Sequence, residues 1–294
     1  MERLRRGSAC LRWGGTIAMA SATSGGAPAQ LHAGKLATPV PGLAAFANVA
    51  EIAFRQVAST SLTIEDIYQL ADAIDAELDA GATGVVVAQG TDTLEESAYL
   101  LDLLLHRTAP VVVTGAMRTA SAVGSDGPAN LLDAVTLAAS GMDCGGVSVV
   151  MAGEIHAARR VSKVHSFLPA AFASPRGPLG VISEGRVGLD TRAAASSPVI
   201  ERLPRGPIPS VPIVTLGLGD DGVLLRAAAD AVIIEMFGAG HAPAWLVNEI
   251  ETLAREVPLI MTSRTRNGLV LRETYGYQGP RSICGPEVSS RPVR

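Results

Sequence analysis

The sequence predicts an α/β protein with a larger N-terminal domain, its mostly parallel sheet covered by helices, and a smaller C-terminal α/β domain. Three observations carry this expectation. Over roughly the first 190 positions, short β-branched runs alternate with stretches of helical period, the pattern of strand, crossover and strand wound right-handedly on one sheet. The runs are continuously apolar, as strands buried on both faces are. The chain has 294 residues, a length at which single cores stop growing (~250–300 residues), so a second domain is expected.

The elements follow in order. GSACLRW at 7–13 is a short, weak first strand that carries Arg12. From Thr63, the residues Ile64, Ile67, Leu70, Ile74 and Leu78 recur at helical spacing, Thr63 with Asp66 resembles a capping box, and Gly81 ends the helix. GVVVA at 84–88 is a buried strand, and Thr93 with Glu96 predicts a second capping box and a helix to about Arg107. PVVVTGAMR at 110–118 repeats the strand pattern, and SDGPANLLDAV at 125–135 supplies a turn, a proline in the first helical turn and a helix to about Ala139. GVSVVMAG at 146–153 is a further strand. The N-terminal domain thus covers 1–190, and residues 191–210, rich in Pro, Ser and Ala without period, read as a linker. In the smaller domain, 211–294, the runs VPIVTLGLG, DAVIIEMFG and VPLIMTSR predict three buried strands, with helices near 221–229 and 243–255. The tail from Gly276, rich in Gly, Pro, Arg and Ser, carries no helical stripe and is read as disordered.

Composition narrows the function classes. The net charge of −4 provides no basic field for a polyanion, which argues against nucleic acid as a partner. No stretch approaches the ~20 apolar residues of a membrane span, and no signal-peptide core follows the N-terminal arginines. Cys10, Cys144 and Cys284 lack motif spacing, which reads as a reducing cytoplasm. The histidines at 32, 106, 156, 165 and 241 show no ligand spacing, so no metal is expected. G-x-S-x-G, H-E-x-x-H, C-x-x-C and the Walker lysine loop are all missing.

Ligands of open α/β sheets bind beyond the carboxyl ends of the strands, where three polar turns fall: Gly14-Gly15-Thr16, Ser59-Thr60-Ser61 and Gly90-Thr91-Asp92-Thr93. Glycine lets the backbone turn sharply and leaves the next hydroxyl exposed. Thr93 is the one read as a helix cap. Thr91 and Asp92 stand together ahead of a helix N-terminus, either as a functional pair or as a cap. Among 24 basic residues only Lys35 and Lys163 are lysines, and a lysine, unlike an arginine, can be tuned toward proton transfer. GLGDDG at 217–222, with Glu235 beyond it, matches a dinucleotide fingerprint, but Asp220 and Asp221 would repel a phosphate.

GGTIA at 14–18, QGTDTLEESAYLLDLLL at 89–105, PVVVTGAMR, SDGPANLLDAV and RRVSK at 159–163 together resemble the bacterial-type L-asparaginases of the asparaginase/glutaminase family, in order through most of 13–275. The resemblance implies an amidohydrolase that converts asparagine, with glutamine as a second candidate substrate, to the acid and ammonia through a threonine acyl-enzyme. It implies no cofactor, and a homodimer or homotetramer with sites between subunits. Thr16 matches the family nucleophile; Thr91, Asp92 and Lys163 match its second catalytic group; Ser59 matches the holder of the substrate α-carboxylate. Asp92 would also receive the α-ammonium, and the main chain at Ala116 would lie near the scissile amide. Gly15, Thr60, Gly90 and Met117 complete the implied substrate contacts. The pattern departs from the family in four places: no tyrosine follows Thr16 within residues 18–35, Thr60 replaces a common glutamine, His241 stands where an asparagine is usual, and the final helix has no counterpart. Two alternatives follow: a catalytically impaired member that binds small amino acids, and, on the GLGDDG stretch, a nucleotide-binding protein.

Overall fold

The computed structural model describes residues 7–13, 48–191, 193, 206–271 and 274–275. The chain divides into two compact units, Met1–Leu203 and Pro204–Arg294. Gly14, Gly15, Thr16 and Lys35, most of the expected linker and the tail from Gly276 lie outside the described residues.

In the first unit, eight strands form one sheet. The strands are β1 (Gly7–Trp13), β2 (Asn48–Arg55), β3 (Val85–Ala88), β4 (Val111–Thr114), β5 (Ser148–Met151), β6 (Glu154–Ala157), β9 (Gly180–Ser183) and β10 (Arg186–Leu189), in the order β10-β9-β6-β5-β4-β3-β1-β2. From β2 to β5 every pairing is parallel. From β5 outward β6, β9 and β10 pair antiparallel, joined in part by tight turns, so the sheet is mixed at one end. A separate small hairpin pairs β7 (Ser162–Lys163) with β8 (Phe172–Ala173).

Three helices cover the faces: α1 (Ile64–Asp79), α2 (Leu94–Leu104) and α3 (Gly127–Ser140). Successive side chains of a strand point to opposite faces, so Val85 and Val87 join the core with Leu70, Ile74, Leu94 and Leu101, while Val86 and Ala88 join another with Leu131, Ala134 and Ala138. Burial of each valine, leucine or isoleucine among them stabilises by about 1.5–3 kcal/mol, and of each alanine by less. The Thr63–Asp66 capping box forms as expected: the Asp66 amide donates to the Thr63 hydroxyl at 3.2 Å and the Thr63 amide to the Asp66 carboxylate at 2.8 Å. Gly141 ends α3 in the left-handed conformation at φ 67°, a common helix terminator.

Several local expectations are corrected. GSACLRW, expected to be weak, is a seven-residue strand paired with β2 on one side and, through Ala9–Arg12, with β3 on the other. β2 carries no clean two-residue alternation, and periodicity does not signal it. The helix after Gly90 starts at Leu94 and ends at Leu104, before Arg107. Thr93 makes no side-chain cap: its hydroxyl is engaged elsewhere, as described below.

The second unit is built on a three-stranded parallel sheet, β11 (Ile213–Thr215), β12 (Val232–Met236) and β13 (Leu259–Ser263), with helix α4 (Val247–Glu256). Val214, Leu216, Ile234, Met236 and Ile250 form its core. The helix expected near 221–229 is only a 3-10 turn, Val223–Arg226. In the GLGDDG stretch the Asp220 carboxylate accepts from the Gly217 and Gly222 amides at 3.1 and 2.8 Å, and Asp221 accepts from Val223 at 3.0 Å. Three amides in and beside this stretch are therefore already bonded to carboxylates, whose charge would also repel a phosphate.

Candidate active site

β3 and β4 are parallel neighbours, so their carboxyl ends open on the same edge of the sheet. β3 runs out through Gln89 and Gly90 into a 3-10 turn, Thr91–Thr93, that leads into α2. β4 runs out through Gly115 to Ala116 and Met117.

The Lys163 ammonium donates to the Thr91 hydroxyl at 2.9 Å and to the Asp92 carboxylate at 2.8 Å. Thr91 is buried, and in the ion pair the Lys163 side chain is 17% exposed against 60% for Asp92. The cation thus sits between a shielded hydroxyl and a carboxylate that faces solvent. A hydroxyl hydrogen-bonded to an amine, with an acid behind the amine, can pass a proton to or from a bound molecule. The Lys163 backbone amide donates to the Glu95 carboxylate.

The Ser59–Ser61 turn lies against this group. The Thr93 hydroxyl donates to the Ser59 carbonyl at 2.9 Å, across 34 positions, and the Leu62 amide donates to the same carbonyl at 3.2 Å. Ser59 is buried and Thr60 exposed. Gly90 is buried in ordinary extended backbone at φ −67°.

Further residues brace the site, none of them singled out in the sequence. Gly115 packs on the Thr91 turn so closely that a Cβ there would lie 2.7 Å from the Gln89 carbonyl and 3.0 Å from the Thr91 methyl. The Asp126 carboxylate accepts from the Met117 and Arg118 amides at 3.0 and 2.9 Å. Asn130 donates to the Gly115 carbonyl at 3.0 Å and accepts from the Ala152 amide at 3.0 Å, joining the ends of β4 and β5. Gln89 donates to Ser97 at 3.1 Å within the core. Asp102, buried on α2, is paired with Arg159 and accepts from the Val147 amide at 2.7 Å. Asp126 and Asn130 stand four apart in SDGPAN, which places both on one helix face. That spacing was the available signal for them.

Of the residues named from the sequence, Thr91, Asp92 and Lys163 meet, Ser59 is tied to their turn through Thr93, and Ala116 and Met117 follow the neighbouring strand on the same edge. Among the described residues no group of three His, Cys, Asp or Glu side chains could hold a metal ion, and no helix is long and apolar enough to cross a membrane.

Comparison with known proteins covers nearly the whole chain. Residues 9–195 match the family described as "Asparaginase, N-terminal" and residues 210–285 that described as "Glutaminase/Asparaginase C-terminal domain". A glutaminase-asparaginase of Acinetobacter glutaminasificans is 35% identical over 279 residues, 88% of this chain and 83% of that protein. An L-asparaginase of Bacillus licheniformis is 35% identical over 286 residues, 92% of this chain and 85% of its own. The crystal structure of a probable cytoplasmic L-asparaginase from Campylobacter jejuni superposes with a TM-score of 0.78 at 28% identity, covering 88% of this chain and 83% of that one. With a threonine, a lysine and an aspartate converging at the end of β3 and both halves of the chain matched in order, this protein belongs to the asparaginase family.

Proposed function

We propose that this protein hydrolyses the side-chain amide of L-asparagine to L-aspartate and ammonia through an ester on Thr16. The contact of Lys163 with both Thr91 and Asp92 carries the reading. The Thr16 oxygen bonds to the amide carbon as its proton leaves, the C–N bond breaks, and the nitrogen departs as ammonia with a proton delivered to it. Water then adds to the ester, the C–O bond to Thr16 breaks, and the hydroxyl regains its proton. Thr91 and Lys163 move these protons, and Asp92 stabilises the ammonium whenever Lys163 holds one.

Strand register supports the participation of Thr16. Arg12 of β1 pairs with Ala88 of β3, and Thr16 follows β1 by three residues beyond Trp13. β1 and β3 are parallel neighbours, so the strand that precedes Thr16 in the sequence ends on the same sheet edge as the strand that precedes Thr91. In this reading Ser59 holds the α-carboxylate, with Thr60 next to it, while Asp92 receives the α-ammonium. The main chain at Gly90, Ala116 and Met117 lines the amide. The proposal includes assembly as a homodimer or homotetramer and a cytoplasmic location, the one named for the Campylobacter protein.

The test is ammonia and amino-acid release from asparagine and, separately, glutamine. Equal amounts of ammonia and aspartate from the parent, lost in Thr16→Ala, are expected. Release from neither amide, or undiminished release by Thr16→Ala, contradicts the proposal.

A further inference from the structure

We propose that Glu95 is a positioning residue for Lys163: its carboxylate, by accepting the lysine's backbone N–H, sets where the side chain starts and so where the ammonium meets Thr91. The inference rests on the asparaginase reading of Thr91 and Lys163.

The hairpin explains why Lys163 needs such a partner. In an antiparallel pair, residues alternate between those that exchange hydrogen bonds with the opposite strand and those whose amides point away from it. The Val164 amide donates to Ala171 across the hairpin at 2.7 Å. Lys163, opposite Phe172, is therefore of the outward kind, and among the described residues β7 has only β8 as its neighbour. A half-buried outward amide requires an acceptor, and the Glu95 carboxylate is that acceptor.

Glu95 is also in the place that matters for geometry. It lies in the first turn of α2, directly after the Thr91–Thr93 turn. One rigid segment therefore holds Lys163 at both ends: Glu95 at the backbone, Thr91 and Asp92 at the ammonium. Seven residues further along α2, two helical turns and so on the same face, Asp102 pairs with Arg159 at the start of the same chain segment. A lysine side chain has four flexible carbons, so fixing its tip against a small hydroxyl depends on fixing its root.

The experiment separates reach from charge. Glu95→Gln keeps the length and an acceptor oxygen but no charge; Glu95→Asp keeps the charge and withdraws it by one methylene. With asparagine as substrate, Glu95→Gln is expected to hold kcat within about twofold of the parent with an unshifted pH profile. Glu95→Asp is expected to lose about tenfold or more in kcat with KM within about twofold, since small misplacements of a reacting group carry losses of that order. Circular dichroism confirms that each variant is folded, and Thr91→Ala is assayed alongside. Parent-like kcat in both Glu95 variants, equal losses in both, or loss in Glu95→Gln alone overturns the positioning role while Thr91→Ala remains impaired. Full activity in Thr91→Ala overturns the underlying reading instead.

Discussion

The Lys163 ammonium lies 2.9 Å from the Thr91 hydroxyl, although 72 positions separate the two residues. An arginine in place of Lys163 would keep the positive charge beside Asp92 but could not give up its proton. Lys163→Arg is therefore expected to lower kcat for asparagine by about 10²–10⁴-fold, the contribution typical of general acid–base catalysis, with little change in thermal unfolding. Steady-state kinetics and a melting curve check both parts.

Gly115 and Thr91 interlock. Gly115→Ala forces a methyl within 2.7 Å of the Gln89 carbonyl and 3.0 Å of the Thr91 methyl. Overpacking of this kind destabilises by about 1–3 kcal/mol, and the atoms that must yield lie in and just before the Thr91 turn. Lower kcat and a lower unfolding temperature are expected together.

Thr93 ties the Ser59 turn to the Thr91 turn at 2.9 Å. Thr93→Val preserves shape and removes the donor, a loss of about 1 kcal/mol in stability. Because the loosened residue is the proposed holder of the substrate carboxylate, KM for asparagine is expected to rise while kcat is retained.

The capping box at Thr63 is legible in the sequence because its partners lie three residues apart, whereas Thr93 shows the limit of such reading. Its spacing to Glu96 is that of a cap, yet its hydroxyl goes to a carbonyl 34 positions away that only the folded sheet brings near. The buried strands of the N-terminal unit announce themselves as continuous apolar runs. β2, at the sheet edge and without alternation, does not, and neither does the antiparallel end, where EIHA, GVIS and RVGL interrupt their apolar residues with polar ones and glycine. For the site, the residue types in GTDT and RRVSK single out Thr91, Asp92 and Lys163. Glu95, Asp102, Asp126 and Asn130 escape because each acts through a backbone group or a charge whose position depends on the fold.

Buried Asp102 holds Arg159 and the Val147 amide. Asp102→Ala leaves a shielded guanidinium without its carboxylate, and removing one partner of such a pair destabilises by about 3–5 kcal/mol. A marked fall in the urea midpoint of the N-terminal unit is expected, with Asp102→Asn, which retains an acceptor, falling less.

Burial raises the Asp133 carboxyl from its ordinary 3.8 to about 6. The folded chain then holds this proton more tightly than the unfolded chain does, so this group favours folding most below 3.8 and works against it as pH climbs through about 6. Asp133→Asn is expected to melt above the parent at pH 8, with the difference shrinking toward zero near pH 4; calorimetry at the two pH values reads it.

The most direct test of the proton relay is kcat for ammonia release from asparagine by Thr91→Val beside the parent, both shown to be folded. The account predicts a parent that turns over and a variant reduced by at least about a hundredfold. A Thr91→Val enzyme as fast as the parent would contradict it.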